Sequence, residues 1–140
     1  MAKKNAENNS CPCQSGLDFA RCCGPFLNNN TLILPETAEQ LMRSRYCAYV
    51  LHNSRYLLTT WHPEHRPENL YFENMPSENS PSQWLGLKIK STHMGHKEDD
   101  SGEVHFIARY KINGKAFRLE EKSRFLKINN RWFYTTGQII

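Results

Sequence analysis

At 140 residues the chain can enclose one ordinary core with a small appendage, and its length excludes two full cores. Apolar content is 39%, and no apolar run approaches the roughly 20 residues that cross a bilayer, so a soluble, cytoplasmic protein is expected. The net charge of +4 is spread over Lys3, Lys4, Lys88, Lys90, Lys111, Lys115, Lys122 and Arg124 with acids interleaved. That disfavours a dedicated nucleic-acid stripe and leaves RNA or ribosome association a weak third reading.

Residues 1–9 are polar, with a basic start and no apolar stretch behind it, so they read as a disordered N-terminus and not as a secretory signal. Order should begin at Ser10. Four of the 5 cysteines follow within thirteen positions, as Cys11-Pro12-Cys13 and the pair Cys22-Cys23. In a reducing compartment such half-sites point to thiolate ligands, and Zn²⁺ takes four of them in a tetrahedron. A redox dithiol and unligated buried cysteines are the competing readings. Gln14-Ser15-Gly16 supplies a turn between the half-sites, and Gly24-Pro25 ends the segment. Only Leu17, Phe19, Phe26 and Leu27 are sizeable apolar groups here, so a metal would supply much of the folding energy. Four protein thiolates close the coordination shell, which makes the zinc structural and leaves no position for catalysis.

Residues 28–34 read as a linker, and the main domain should span 35–140. Thr37 followed by Gln40 is a capping box, and Leu41, Met42, Tyr46, Tyr49 and Val50 share one face of a helix running to about His52. Cys47, on that helix, reads as a small core residue without a ligand role. Asn53-Ser54 offers a fresh cap, and Arg55 to His62 reads as a second helix ended before Pro63. Pro63 to Ser82 is a loop with one short helix around Glu68 to Phe72.

Beyond Gln83 the period falls to two and four strands fit: Leu85, Leu87 and Ile89; Val104 to Ile112; Ala116 to Ile128; Arg131 to Gln138. Asn113-Gly114 and Asn129-Asn130 mark tight hairpin turns. The layout is α+β, a helical hairpin followed by an antiparallel meander. On the third strand Phe117, Leu119, Glu121, Ser123 and Phe125 share one face, so Glu121 points inward. An inward carboxylate needs a cation or several donors. Arg45 and His62 are the candidate partners. A pocket, if present, is expected among Arg45, Tyr49, Trp61, His62, Glu121, Trp132 and Tyr134. Glu121 or His62 would serve there as a general base, or Glu121 and Arg45 would form a structural pair. No Ser-His-Asp arrangement, glycine-rich phosphate loop or His-Glu metalloprotease motif is present, and enzyme status stays open.

Cys-Pro-Cys-Gln-Ser-Gly, eight residues between the second and third cysteines, and then Cys-Cys-Gly resemble the SEC-C zinc motif over 10–27. That motif is best known from the tail of the translocation ATPase SecA, where it binds zinc and contacts a chaperone. The resemblance implies zinc on Cys11, Cys13, Cys22 and Cys23 and a protein partner for the knuckle. The chain departs from the motif at Gln14, where glycine is usual, and in carrying only Arg21 as a cation between the half-sites. Leu41-Met-Arg-Ser-Arg-Tyr-Cys-Ala-Tyr49, Tyr56-Leu-Leu-Thr-Thr-Trp-His-Pro63, Trp84-Leu-Gly-Leu87, Phe106-Ile-Ala-Arg-Tyr110 and Glu121-Lys-Ser-Arg-Phe125 resemble the bacterial YchJ family. This implies a nuclear-transport-factor-2-like cone, with helices in the concave face of a curved antiparallel sheet. Function then divides into an adaptor that docks through the knuckle and holds a ligand or peptide in the cone, and a small-molecule enzyme with the cone as active site.

Overall fold

The computed structural model describes residues 9–28, 30, 32–70 and 82–140. Its frame is a four-stranded antiparallel sheet in the order β1-β2-β3-β4, with β1 Ser82–Met94, β2 Ser101–Ile112, β3 Lys115–Ile128 and β4 Arg131–Ile139. The period-two pattern falls on these strands, and turn chemistry makes two of the joints. Asn113 and Gly114 lie at φ 50° and 81°, and Asn129 and Asn130 at 52° and 66°. Paired left-handed residues of this kind match a two-residue turn to the twist of its strands. Register shifts at Trp84/Gly86 and Ile89/Ser91 in β1, and at Ser123/Phe125 in β3, bend the sheet around the helices.

Among the described residues three full α-helices precede the sheet: α1 Gly24–Leu27, α2 Ala38–Val50 and α3 Ser54–Thr59. The Thr37 hydroxyl caps α2 by accepting the Gln40 N–H at 3.1 Å, and the Gln40 side chain accepts the Glu36 N–H at 2.7 Å. The Asn53 side chain caps α3 through the Tyr56 N–H. The sequence pattern carries this helix to His62, yet it stops at Thr59. Trp61 forms a parallel bridge with Tyr134, whose N–H donates to the Thr60 carbonyl while the His62 N–H donates to the Tyr134 carbonyl, each at 2.8 Å. Backbone groups that a longer helix would use are taken by β4. Glu68 to Leu70 are not helical, and the remainder of that expected short helix lies outside the described residues, as do residues 1–8.

Leu41, Met42, Tyr46 and Cys47 of α2 pack on Leu87, Val104, Phe106, Ala108, Phe125 and Trp132 of the sheet. Cys11, Cys13 and Cys23 belong to this same buried cluster. The N-terminal segment is thus seated on the main domain and shares its core. Among the described residues no helix is long and apolar enough to cross a membrane.

Candidate functional site

Two sites lie on opposite sides of α2, and the first is the thiol cluster. Cys11 and Cys13 sit in a tight turn where the Gln14 N–H donates to the Cys11 carbonyl and the Cys11 N–H to the Leu17 carbonyl. Gln14 adopts φ 60°, a left-handed conformation that favours glycine, at the position where the motif usually carries one. A 3₁₀ turn, Phe19–Arg21, delivers Cys22, and Cys23 is the N-cap of α1, with Pro25 in its first turn. The four sulfurs lie within 4.8 Å of one another, with Cys13–Cys22 at 3.6 Å and Cys22–Cys23 at 3.9 Å. A tetrahedron with Zn–S bonds of about 2.3 Å has edges of about 3.8 Å, so the donor set fits zinc in both chemistry and spacing.

The surroundings favour negative charge on one sulfur, that of Cys13. Arg43 of α2 donates to the Cys13 carbonyl at 3.0 Å and reaches its sulfur at 3.7 Å, while Glu39 holds the guanidinium from the other side. The neighbouring thiols of Cys23 and then Cys47 hold the Cys13 thiol well below its ordinary pKa. Those two thiols are pushed up in turn, each chiefly by its hydrogen bond to Cys13. Cys47 is a buried core residue, as its place on the helix predicts. Its sulfur lies 3.5 Å from that of Cys11, and both are buried.

The second site is an open cavity of about 380 Å³ between α2 and the concave sheet. Of the expected pocket residues, Arg45, Tyr49, Glu121 and Tyr134 line it. Trp61, His62 and Trp132 do not. Trp61 stands behind Arg45, because the bridge to Tyr134 turns its ring onto the guanidinium and the Tyr134 ring. His62 turns outward against Phe133 and His65. Trp132 is buried lower in the sheet, where its indole N–H donates to the Glu36 carbonyl. The walls that sequence reasoning left unassigned are Tyr46, Trp84, Phe106 and Tyr110. Their signal was strand parity, since Phe106 and Tyr110 share an apolar face that serves as cavity wall as well as core.

Arg45 and Glu121 do not form the expected ion pair. Arg45 is 3% exposed and donates to the Leu57 carbonyl at 2.8 Å and Thr60 Oγ1 at 2.7 Å. Its guanidinium lies 4.9 Å from the Trp61 ring centroid and 4.7 Å from that of Tyr134. Burial lowers its pKa, opposed by the phenols of Tyr49, Tyr134 and Tyr56. Glu121 instead accepts from Ser123 Oγ at 2.6 Å and from the Tyr134 hydroxyl at 3.4 Å, and among the described residues no cation lies within 4.0 Å of it. Burial and then the Glu121 charge push the Tyr134 phenol up, so it remains a donor. Gly137, opposite Ser123 in β4, makes room for this carboxylate, since a Cβ there would stand 2.0 Å from Glu121 Oε2.

A third cluster lies on the exposed turn after Trp61, where His62, Glu64 and His65 bring potential metal donors within 4.8 Å of one another. One ring nitrogen is already engaged, because His62 Nδ1 accepts the Glu64 N–H at 3.1 Å.

A four-cysteine knuckle packed on a curved sheet with helices in its concave face defines a class of two-part proteins, a SEC-C motif joined to a nuclear-transport-factor-2-like domain. The profile of the SEC-C motif matches residues 8–25, and that of the YchJ middle NTF2-like domain matches residues 37–137. A UPF0225 protein of Chromobacterium violaceum is 42% identical over 139 residues, covering 99% of each chain. One from Photorhabdus laumondii is 43% identical over 130 residues, covering 91% of this chain and 79% of its own. The solution structure of a SEC-C motif containing protein from Rhodopseudomonas palustris superposes with a TM-score of 0.77 at 31% identity, covering 93% of this chain and 98% of its own. A crystal structure of a SEC-C motif containing protein from Psychrobacter arcticus gives 0.73 at 25% identity, covering 93% and 82%. The chain belongs to the UPF0225 (YchJ) family.

Proposed function

We propose that this protein is a zinc-stabilised binding module whose cone holds a flat apolar ligand bearing a hydrogen-bond donor. The observation that carries this reading is the state of Glu121, a carboxylate in an aromatic-walled cavity, held by two hydroxyls and not neutralised by Arg45. Aromatic walls supply apolar contact, and a fixed acceptor on one side sets orientation. Arg45, consumed by Leu57, Thr60 and two rings, braces the floor of the cone. Cys11, Cys13, Cys22 and Cys23 would hold the zinc, which fixes the fold of the knuckle and leaves no open position for substrate. The outer face of the knuckle, with Leu17 and Arg21 exposed, is the part available to a protein partner.

An arylalkylamine such as 2-naphthylmethylamine tests the cavity by calorimetry. The expected result is saturable binding that weakens at least about tenfold in Glu121→Gln, with thermal stability unchanged within about 1 kcal/mol. Gly137→Ala should weaken binding as well, because its Cβ displaces the carboxylate. Absence of binding, or equal binding by wild type and Glu121→Gln, defeats the reading.

A further inference from the structure

The knuckle brings four sulfurs together, and the main domain sets a fifth beside one of them. Cys47 comes from the middle of α2, in the main domain, and its position does not depend on the knuckle loop. Its distance of 3.5 Å from the Cys11 sulfur matches the 3.6 and 3.9 Å spacings inside the knuckle itself. It packs in one buried cluster with Cys11, Cys13 and Cys23. Cys47 thus adjoins the face formed by Cys11, Cys13 and Cys23. These three and Cys47 are all buried, at 4%, 0%, 1% and 0% exposure. Cys22 differs from them, being partly open to solvent and hydrogen-bonded to Ser15 Oγ at 3.1 Å. A metal held by Cys11, Cys13, Cys22 and Cys23 would have a further buried sulfur, that of Cys47, beside its Cys11 ligand. Zinc has no electronic preference that opposes exchange of one thiolate for another.

We infer that Cys47 is a fifth thiol of the metal centre, a reserve donor from α2 that completes a four-sulfur shell when Cys22 leaves it. The inference rests on the zinc reading above and extends it to a residue outside the motif. The most solvent-accessible ligand, the one an alkylating or oxidising agent meets first, becomes replaceable without loss of the metal.

The test loads the full chain with Zn²⁺ and with Co²⁺, whose absorption reports the number of thiolate ligands, in wild type, Cys22→Ala and Cys22→Ala/Cys47→Ala. Wild type should take one metal with a four-thiolate spectrum. Cys22→Ala should keep that spectrum and a zinc affinity within about tenfold of wild type, whereas the double variant should show three thiolates and bind at least about a hundredfold more weakly. A three-thiolate spectrum in Cys22→Ala, matching the double variant, overturns the proposal while leaving the zinc reading intact. Failure of wild type to bind either metal removes the zinc reading first. A second measurement needs no substitution: zinc-loaded wild type is treated with one equivalent of iodoacetamide, and peptide mass and free zinc are followed together. Retention of zinc after Cys22 is alkylated supports the reserve ligand, and release of zinc in step with that alkylation overturns it.

Discussion

The knuckle and the cone are stabilised in opposite ways. The sheet closes its backbone hydrogen bonds strand to strand, and its hairpins turn on Asn113-Gly114 and Asn129-Asn130 without outside help. The knuckle has one isolated bridge, a 3₁₀ turn and a four-residue helix, and it borrows its core from α2. The regular region conceals its chemistry among ordinary core residues, and the irregular region displays its chemistry in its spacing. Where backbone order is cheap the side chains are free to build a cavity. Where it is costly they are consumed in making the fold.

The sharpest way to break this comparison is to take the metal ligands away. Cys13→Ser, or treatment with a chelator, should lower stability by about 4 kcal/mol or more, because structural zinc carries folding free energy and Cys13 lies in the shared core. A calorimetric scan should show the whole chain melting at least about 10 °C lower. An unchanged main transition would make the knuckle a separate appendage. The next effect belongs to the cone: Arg45→Ala should cost about 3 kcal/mol by opening a cavity and leaving the Leu57 carbonyl with only the 3.4 Å contact from Thr60 Oγ1. Urea unfolding with metal bound isolates that loss.

Smaller effects sharpen the contrast. Gln14→Gly should raise stability by about 0.5 kcal/mol by relieving a left-handed residue, partly offset by loss of the 3.5 Å contact to the Leu85 carbonyl. The smallest effect lies on the sheet, where Arg118, then His105, then Lys90 hold the Glu120 carboxyl below the usual carboxylate range. A lowered folded pKa means that its contribution is complete above the ordinary carboxylate pKa and is lost as pH falls through the folded value. Melting temperature against pH should show a slight acid-side decline that Glu120→Gln lacks, and added salt should shrink the difference.

How much was legible in the sequence follows the same division. The four strands, both capped helices and the four knuckle cysteines could be read from period, caps and spacing, all of which are local signals. Glu121 could be turned inward by counting along one strand. Its partners could not be chosen that way. Arg45 and Glu121 are each satisfied by other groups, Arg45 by Leu57 and Thr60 and Glu121 by Ser123 and Tyr134, and these come together only once the sheet is bent and α3 ends early. Trp61 and His62 were misplaced for that reason: the end of the helix, residues 60–62, traded for a bridge to Tyr134 turns the first ring behind Arg45 and the second outward. Cys47 is the core residue that its place on the helix predicts, but helical periodicity shows that a face is buried without showing that it is buried against the Cys11 sulfur.

Helix α2 touches both sites within thirteen residues. Arg43 and Cys47 face the thiols, Met42, Arg45 and Tyr49 face the cavity, and Tyr46 packs edge-on against the cavity wall at Trp84. One short rod is thus the common boundary of the thiol cluster and the cavity. A metal on the thiols and a ligand in the cavity would both bear on that rod, and linkage is reciprocal: a ligand that tightens on metal loading must tighten the metal by the same factor.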